Sequence, residues 1–406
     1  MSEFIPTFDD IAGSLSMLAD VIGEGLVGIS LGWAAKPTGI GFIVGLVFLL
    51  GFRSLAPVSF EVESLTIVSR IAKRAWHVMI YAVILAGIIG AILGAVGAYS
   101  AIVEFIGPAI QYGMMTGVGI ILAIVAVDLI KENRLIGIIS AASAFLVYFA
   151  IRSDPSAIIY ALAVSVVISV IVGRFKKFEP ILPDIKRERI HLVLPWKKFG
   201  QLFRSYEAYE EVPDSSSNSG TQKTVSVIKK LTRPDKILIV RAALSLLALR
   251  VGTSIAYPAI DYDIAGAAAP VTGSGVSAFD ATNVIAGLSG FTSAIFGGAP
   301  LEPIISGTAA APNPVLSAAL LMAFAAVILL LGFIGKAARY IPLQAVTGFL
   351  LLLGTLIIFP ENAPAAMEAD PIVGGVTAVV TAATMDPFIG MIAGLIVKGL
   401  VAISGG

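Results

Sequence analysis

Two short stretches decide the fold: GFRSLAPVSFEVESL at 51–65 and FGGAPLEPIISGTAA at 296–310. Each interrupts an apolar segment with proline, glycine and glutamate, and the dipeptide Ala-Pro recurs at 56–57 and at 299–300, an offset of 243 residues. Proline removes a backbone hydrogen bond and glycine weakens a helix, so neither stretch continues as regular helix. The sequence therefore predicts two helix breaks at matching places in two halves.

The composition around these breaks is that of a membrane protein. Of 406 residues, 57% are hydrophobic and only 13% are charged, whereas a soluble domain usually has about 25% charged residues. The apolar runs are near 20 residues long, enough for a helix to cross about 30 Å of hydrocarbon. A membrane β-barrel would show alternating segments of about 10 residues instead. We therefore expect an all-α polytopic membrane protein.

The apolar runs fall into two sets of seven, about 14 transmembrane segments, separated by the polar stretch 174–236. The candidate spans are 10–33, 38–52, 55–69, 76–98, 103–130, 134–151 and 155–173, then 237–260, 278–297, 300–312, 314–335, 341–360, 371–385 and 387–404. The tetrapeptide at 43–46 matches that at 285–288, and Thr-Gly recurs at 116–117 and 347–348. Because seven is odd, the two halves form an inverted repeat.

Positive charge is concentrated in 174–236, a basic and largely flexible loop. It holds 14 of the 27 Lys and Arg and 8 of the 27 Asp and Glu, a net charge of +6. If the segments alternate, 22 basic residues lie in the loops on its side of the membrane, and only Arg53 and Arg152 lie in the loops opposite. The positive-inside rule places this loop in the cytoplasm of a plasma-membrane protein.

Several function classes are excluded. The chain has no cysteine and two histidines, too few for a redox centre or a His-based metal site, so we expect no cofactor and no metal. Gly287-Leu288-Ser289-Gly290 resembles a membrane serine protease motif, but no histidine follows Ser289 to serve as its base. Walker A and H-E-x-x-H motifs are absent from the sequence. We expect neither an enzyme nor a nucleic-acid binder.

The breaks carry most of the ionisable residues expected inside the membrane, which are functional candidates by default. They are Glu61 and Glu63 in the first break and Glu302 in the second, with Arg250 in the eighth span. An unpaired arginine there costs at least about 2.5 kcal/mol, so Arg250 pairs with a break carboxylate or with an anionic solute. Asp20 and Glu24, on one face of the first span, are further partners to consider.

In transporters built from inverted repeats, broken helices line the substrate site near the membrane midplane. Backbone N–H groups at such a break attract polar or anionic ligands. We therefore expect an ion-coupled transporter of a small solute, with H⁺ or Na⁺ handled by Glu302, Glu61 and Glu63. A channel or a non-transporting membrane protein remains an alternative.

The chain resembles the nucleobase–ascorbate transporters, the uracil/xanthine permeases. The resemblance rests on ATNVIAGLSGFTSAIFGGAPLEPIISGTAA after Asp280, on RYIPLQAVTGFLLLLG, and in the first half on SLAPVSFEVESL and FIGPAIQYGMMTGVGIILAIVAVDL. It implies a core domain (10–98 and 237–335), a gate domain (101–173 and 341–404), repeats 1–173 and 237–406, and elevator-like transport, often as a homodimer. The substrate contacts expected between the breaks are Ser59, Phe60, Glu61, Arg250, Glu302, Ile305, Ser306 and Gly307.

Two features depart from this family. Its two binding carboxylates fall at Leu249 and Ser306 here, whereas Arg250 suits the sulfate permeases, which are similar in fold and move anions. The predicted sidedness is also opposite to the family's usual one, which makes it a question whether the segment 10–33 crosses the membrane. A nucleobase-type symporter is the main reading, and a small-anion transporter using Arg250 is the alternative.

The charge asymmetry makes a prediction about sidedness. An epitope and a protease site inserted at 214–221 should be protected in intact cells and cut in inverted vesicles. Immunoblotting of the fragments measures this. Cleavage in intact cells would show that the loop faces outward.

Overall fold

The structure is a computed structural model that describes residues 5–153, 157–175, 187–193, 204–213, 222–267 and 270–404. The centre of the predicted flexible linker, 214–221, lies outside the described residues. Within this part of the chain, seven helices are long and apolar enough to cross a membrane, and α1 is one of them. Four shorter apolar helices accompany them.

The elements follow the two predicted halves. The first half contains α1 Phe8–Ser30, α2 Ala35–Phe52, β1 Val58–Ser59, α3 Val62–Ile71, α4 Trp76–Ala95, α5 Ala98–Ile106, α6 Pro108–Glu132, α7 Arg134–Ala150 and α8 Ala157–Phe175. The second half contains β2 Ser205–Pro213, β3 Gln222–Lys230, α9 Arg233–Ile264, α10 Ala278–Ile295, β4 Glu302–Pro303, α11 Pro314–Leu330, α12 Phe333–Ala338, α13 Thr347–Leu352, α14 Phe359–Ala369, α15 Pro371–Thr384 and α16 Pro387–Ser404. A 3-10 turn, Gly307–Ala310, follows β4, and a π-helical turn joins α13 to α14.

The first helix of each half begins in the same way. Thr7 and Asp10 form a capping box at the start of α1, and Thr232 and Asp235 form one at the start of α9. In each box the threonine hydroxyl and the carboxylate satisfy N–H groups that the first helical turn leaves free. The matching starts support the division into two repeats.

Both predicted breaks are present, and they pair with each other. β1 and β4 run antiparallel, with Val58 opposite Pro303 and Ser59 opposite Glu302. One backbone hydrogen bond beside the pair runs from Ile304 N–H to Pro57 O, 3.3 Å. Extended backbone buried inside a membrane protein is tolerated only where its polar groups find partners. Each break therefore supplies partners to the other.

Side chains of neighbouring helices satisfy the ends of the second break. The Thr38 hydroxyl of α2 accepts the N–H of Ala299 at 2.8 Å, and the Ser293 hydroxyl of α10 donates to the Ala299 carbonyl at 2.5 Å. These bonds anchor the second break to α2 and α10 at Ala299, three residues before β4 begins.

The helices pack in two groups. The first helix group consists of α1–α4 and α9–α12, in which α10 packs on α4 and α2, and α11 packs on α2. The second helix group consists of α6–α8 and α13–α16, in which α6 packs on α14 and α15. Helix α9 also contacts α16 and α6, so it lies along the boundary between the groups.

Part of the basic loop is ordered against the first helix group. Glu188 accepts the N–H groups of Ala35 and Lys36 at the start of α2, both at 2.8 Å. β2 and β3 form an antiparallel hairpin, and the Tyr81 hydroxyl of α4 donates to Ser205 O at its base. The expectation of an all-α chain was incomplete here. Residues 205–213 and 222–230 pair as strands, although they lack the alternation of apolar and polar residues by which a strand is predicted from sequence.

Glycine allows α4 and α10 to approach closely. A methyl group added at Gly287 of α10 would lie 2.6 Å from the backbone nitrogen of Ala91 and 2.7 Å from the carbonyl oxygen of Gly87 on α4. Small residues commonly permit such backbone contact between membrane helices. This contact holds α10, and with it the second break, against the first half of the chain.

Gly287→Ala should therefore lower stability by about 1–3 kcal/mol, the range for overpacking a tight contact. Thermal unfolding in detergent measures the change. Gly399→Ala on α16 is the matched control, because nothing lies within 4 Å of the added methyl group. Equal melting temperatures for the two variants would contradict the packing argument.

Candidate functional site

The site is built where the two breaks cross. Ser59 and Glu302 face each other across the β1–β4 pair, and both are buried. Within the described part of the chain, the Ser59 hydroxyl has no hydrogen-bond partner. A buried polar group without a partner is uncommon, because leaving it unpaired costs about 1–3 kcal/mol. The crossing therefore presents at least one polar atom free to contact a solute.

Arg250 of α9 reaches the same crossing. Its Nε and Nη2 atoms donate to the two carboxylate oxygens of Glu302, each at 2.6 Å, and both side chains are 1% exposed. The sequence analysis expected Arg250 to pair with a break carboxylate or an anionic solute, and pairing with a break carboxylate is what the structure has. Asp20 and Glu24, the other partners considered, do not form this bond.

The third nitrogen of the Arg250 guanidinium takes no part in the hydrogen bonds to Glu302. Nη1 of Arg250 is buried and has no hydrogen-bond partner among the described residues. A methyl group added at Gly90 of α4 would lie 2.2 Å from this nitrogen, so the glycine makes room for the guanidinium. The guanidinium thus donates two hydrogen bonds to Glu302, and the N–H groups of Nη1 remain available as donors.

The first break contributes two more carboxylates. Glu61 is the residue before α3, and the Ser64 hydroxyl donates to its Oε2 atom. Its Oε1 atom has no hydrogen-bond partner in the segments that the structure describes. Glu63 lies in the first turn of α3, where a negative charge is favoured by the helix dipole, and it is also buried. Glu61 therefore lies in the first break, as the sequence predicts, whereas Glu63 belongs to the helix that follows the break.

Two further acidic residues belong to this region. Glu24 of α1 is buried near Glu61 and Glu63, and it faces the first backbone N–H of α3. Oδ1 of Asp261 in α9 accepts the N–H of Ser306 at 2.8 Å, and Oδ2 has no hydrogen-bond partner among the residues described. Glu24 is one of the possible partners of Arg250 named from the sequence, whereas Asp261 was not among the predicted site residues. Its spacing was the signal, since 11 residues after Arg250 is about three helical turns.

The remaining predicted contacts have different surroundings. Phe60 is fully buried and packs edge-on against Phe42, with ring centroids 5.8 Å apart. Ser306 is buried and its hydroxyl shares a hydrogen bond with Thr308. Ile305 and Gly307 are exposed. The structure therefore brings Ser59, Glu302 and Arg250 together, while the ring of Phe60 packs into the first helix group.

Negative charge outweighs positive charge at the site. Five buried acidic side chains, Glu24, Glu61, Glu63, Asp261 and Glu302, accompany one buried arginine. Among the described residues, no three of the His, Asp or Glu side chains are grouped so that they could hold a metal ion. Buried carboxylates are stable only when paired, hydrogen-bonded or protonated. The carboxylates here that have no ion-pair partner must therefore be hydrogen-bonded or protonated.

Comparison with known proteins identifies the fold. No protein-family model matches the sequence, and no curated protein matches it. The transmembrane domain of BicA, a bicarbonate transporter from a cyanobacterium, is similar with a TM-score of 0.61 and 14% identity, over 95% of this chain and 96% of that one.

Two structures of Solute Carrier 26 family member A9 are also similar. The murine anion transporter in its inward-facing state matches with a TM-score of 0.64 and 13% identity, over 98% of this chain and 68% of that one. The overall structure of SLC26A9 matches with a TM-score of 0.55 and 12% identity, over 98% and 65%.

The chain is therefore a multi-pass membrane protein that shares the fold of these transport proteins, a 7+7 inverted repeat. The similar structures are described as bicarbonate and anion transporters. They agree with the sulfate-permease alternative better than with the nucleobase family to which the sequence motifs pointed.

The Arg250–Glu302 pair makes a prediction about stability. Glu302→Gln should cost about 3–5 kcal/mol, because it leaves a buried arginine without its counter-ion. The double variant Arg250→Met with Glu302→Gln should lose less than the two single losses added together, since it leaves no unpaired charge. Thermal unfolding is measured for Glu302→Gln, for Arg250→Met and for the double variant, with the exposed Glu368→Gln as control. Additive losses would show that the pair is not a unit.

Proposed function

We propose that this protein is a secondary transporter of a small anion, with its site at the crossing of the two breaks. The main support for the proposal is the environment of Arg250. This arginine is buried at the crossing, and its Nη1 atom has no hydrogen-bond partner among the described residues. A guanidinium holds its charge in a buried site and presents planar N–H donors that fit oxyanions. The similarity to anion transporters supports this reading.

The excess of carboxylates supports ion coupling. A bare anion entering beside Glu61, Glu63 and Glu302 would be repelled, so H⁺ or Na⁺ must enter with it to neutralise the surroundings. Protonation of Glu302 would free the Arg250 fork, which could then hold the solute with all its N–H groups. Glu302, Glu61 and Glu63 are therefore our candidates for the coupling residues.

We further propose that the first helix group acts as the core and the second as the gate, over the boundaries 10–98, 101–173, 237–335 and 341–404. The solute would be carried by movement of the core against the gate, with about 14 segments crossing the plasma membrane. The 174–236 loop would face the cytoplasm, because basic residues are so unevenly divided between the two sides. A homodimer is the expected assembly.

Binding and uptake test the proposal together. Purified protein should be stabilised against heat by bicarbonate, sulfate or a dicarboxylate, and proteoliposomes should take up the same anion under a proton or sodium gradient. Arg250→Lys keeps the charge but loses the planar fork, so we expect affinity to fall about tenfold or more, about 1.4 kcal/mol. Arg152→Lys, at an exposed site distant from the breaks, is the matched control.

Other results would point elsewhere. Stabilisation and uptake with uracil or xanthine would favour the nucleobase-type symporter. Flux that is independent of the ion gradient and does not saturate with solute concentration would indicate a channel. Normal transport by both Arg250→Lys and Arg250→Ala would remove Arg250 from the site.

A further inference from the structure

Among the residues that the structure describes, two ion pairs join the two helix groups, and both lie on the side of the 174–236 loop. Arg241 of α9 pairs with Asp386, in the turn between α15 and α16, and Arg70 at the end of α3 pairs with Asp128 near the end of α6. Arg241 is only eight residues from Arg233, where α9 begins near the end of the loop. Neither pair is part of the site described above.

Several hydrogen bonds support the ion pair between Arg241 and Asp386. Its Nε atom donates to Asp386 Oδ2 at 2.5 Å and its Nη2 to the Thr384 carbonyl at 3.3 Å, while the Ser245 hydroxyl donates to Asp386 Oδ1 at 2.5 Å. Asp386 is completely buried and also caps the first turn of α16. One carboxylate thus binds two side chains of α9 and holds the start of a helix in the other group.

The Arg70 pair is weaker. Its N–O distance is 3.4 Å, and the two side chains are 35% and 45% exposed, so solvent screens the attraction. It nevertheless joins the same two groups at the same end. The Arg241 contact therefore dominates and the Arg70 contact assists it.

At the level of the crossing, the two helix groups are joined by packing. Ala248 and Val251, on either side of Arg250 in α9, are buried in one cluster with Ile110 and Met114 of α6. Farther along α9, Asp261 accepts the N–H of Ser306, and the preceding residue Ile305 is 40% exposed. The ion pairs are thus the contacts between the groups on the loop side, and apolar packing joins the groups at the crossing.

We propose that Arg241, Asp386 and Ser245, assisted by Arg70 and Asp128, form a clamp that closes the loop side of the boundary between the two helix groups. The proposal rests on the proposed transport function, in which these groups move against each other. When the groups separate on the loop side, both ion pairs must break, so the clamp favours the state described here. Weakening it shifts the population towards a state open on the loop side.

Alkylation of single cysteines tests the clamp directly, because the chain has no cysteine of its own. Ala248→Cys reports on the packed contact of α9 with α6 at the crossing, about 10 Å along α9 from Arg241, which a label from the loop side reaches only after the clamp opens. Ile305→Cys reports on the far side. Each reporter is combined with Arg241→Gln or with Asp386→Asn, in which asparagine can still cap α16. The labelling rate with a bulky maleimide is measured on purified protein.

We expect the clamp variants to label Ala248→Cys about tenfold faster and Ile305→Cys more slowly. Arg134→Gln is the matched control, because it removes an exposed positive charge at the start of α7, close to the end of α6, and changes neither ion pair of the clamp. Unchanged rates at both reporters would overturn the proposal. Faster labelling at both would also overturn it, since that indicates a loosened fold rather than an opened side.

Labelling requires no solute and no uptake. A protein that transports no anion in proteoliposomes could still show the opposite changes at the two reporters. Failure of the clamp and failure of the proposed function therefore give separate results.

Discussion

The structure depends on one constraint: backbone that is not helical must find hydrogen-bond partners when it is buried in a membrane protein. The breaks around Pro57 and Pro300 release such backbone in each half of the chain. β1 and β4 pair with each other, and Thr38 and Ser293 satisfy the end of the second break. Because each break supplies the partners of the other, the two halves have to meet at this point, and the helices around them are arranged to allow it.

The same constraint governs charge. Arg250 can be buried at the crossing only because Glu302 stands at the end of its guanidinium, and Glu302 is held there by the pairing with Ser59. Fold and site are therefore coupled: the strand pair positions the carboxylate, the carboxylate stabilises the arginine, and Nη1 of the arginine has no hydrogen-bond partner in the described part of the chain. In the proposed transport function, a solute that binds this nitrogen would compete or cooperate with Glu302, which would link solute binding to ion coupling.

The carboxylates also distinguish this site from a simple anion-binding pocket. Backbone N–H groups at the breaks, which the sequence analysis assigned to the solute, have acidic side chains beside them here. Asp261 accepts from Ser306, and Glu24 faces the start of α3. The first helix of each repeat thus brings a carboxylate to the broken segment of its own half. Anion transport through such a site requires that protons or cations accompany the solute.

The sequence by itself determined the membrane class, the seven-plus-seven arrangement and the positions of both breaks, because hydropathy, proline and glycine act locally along the chain. It also required a partner for Arg250, because a buried charge has the same cost in any fold. It did not show that the partner is Glu302, that Asp261 reaches Ser306, that the ring of Phe60 packs on Phe42, or that 205–230 contains a hairpin. Those contacts join residues that are distant along the chain or lack a distinctive local pattern, and only the tertiary structure decides which of many possible partners a buried group finds.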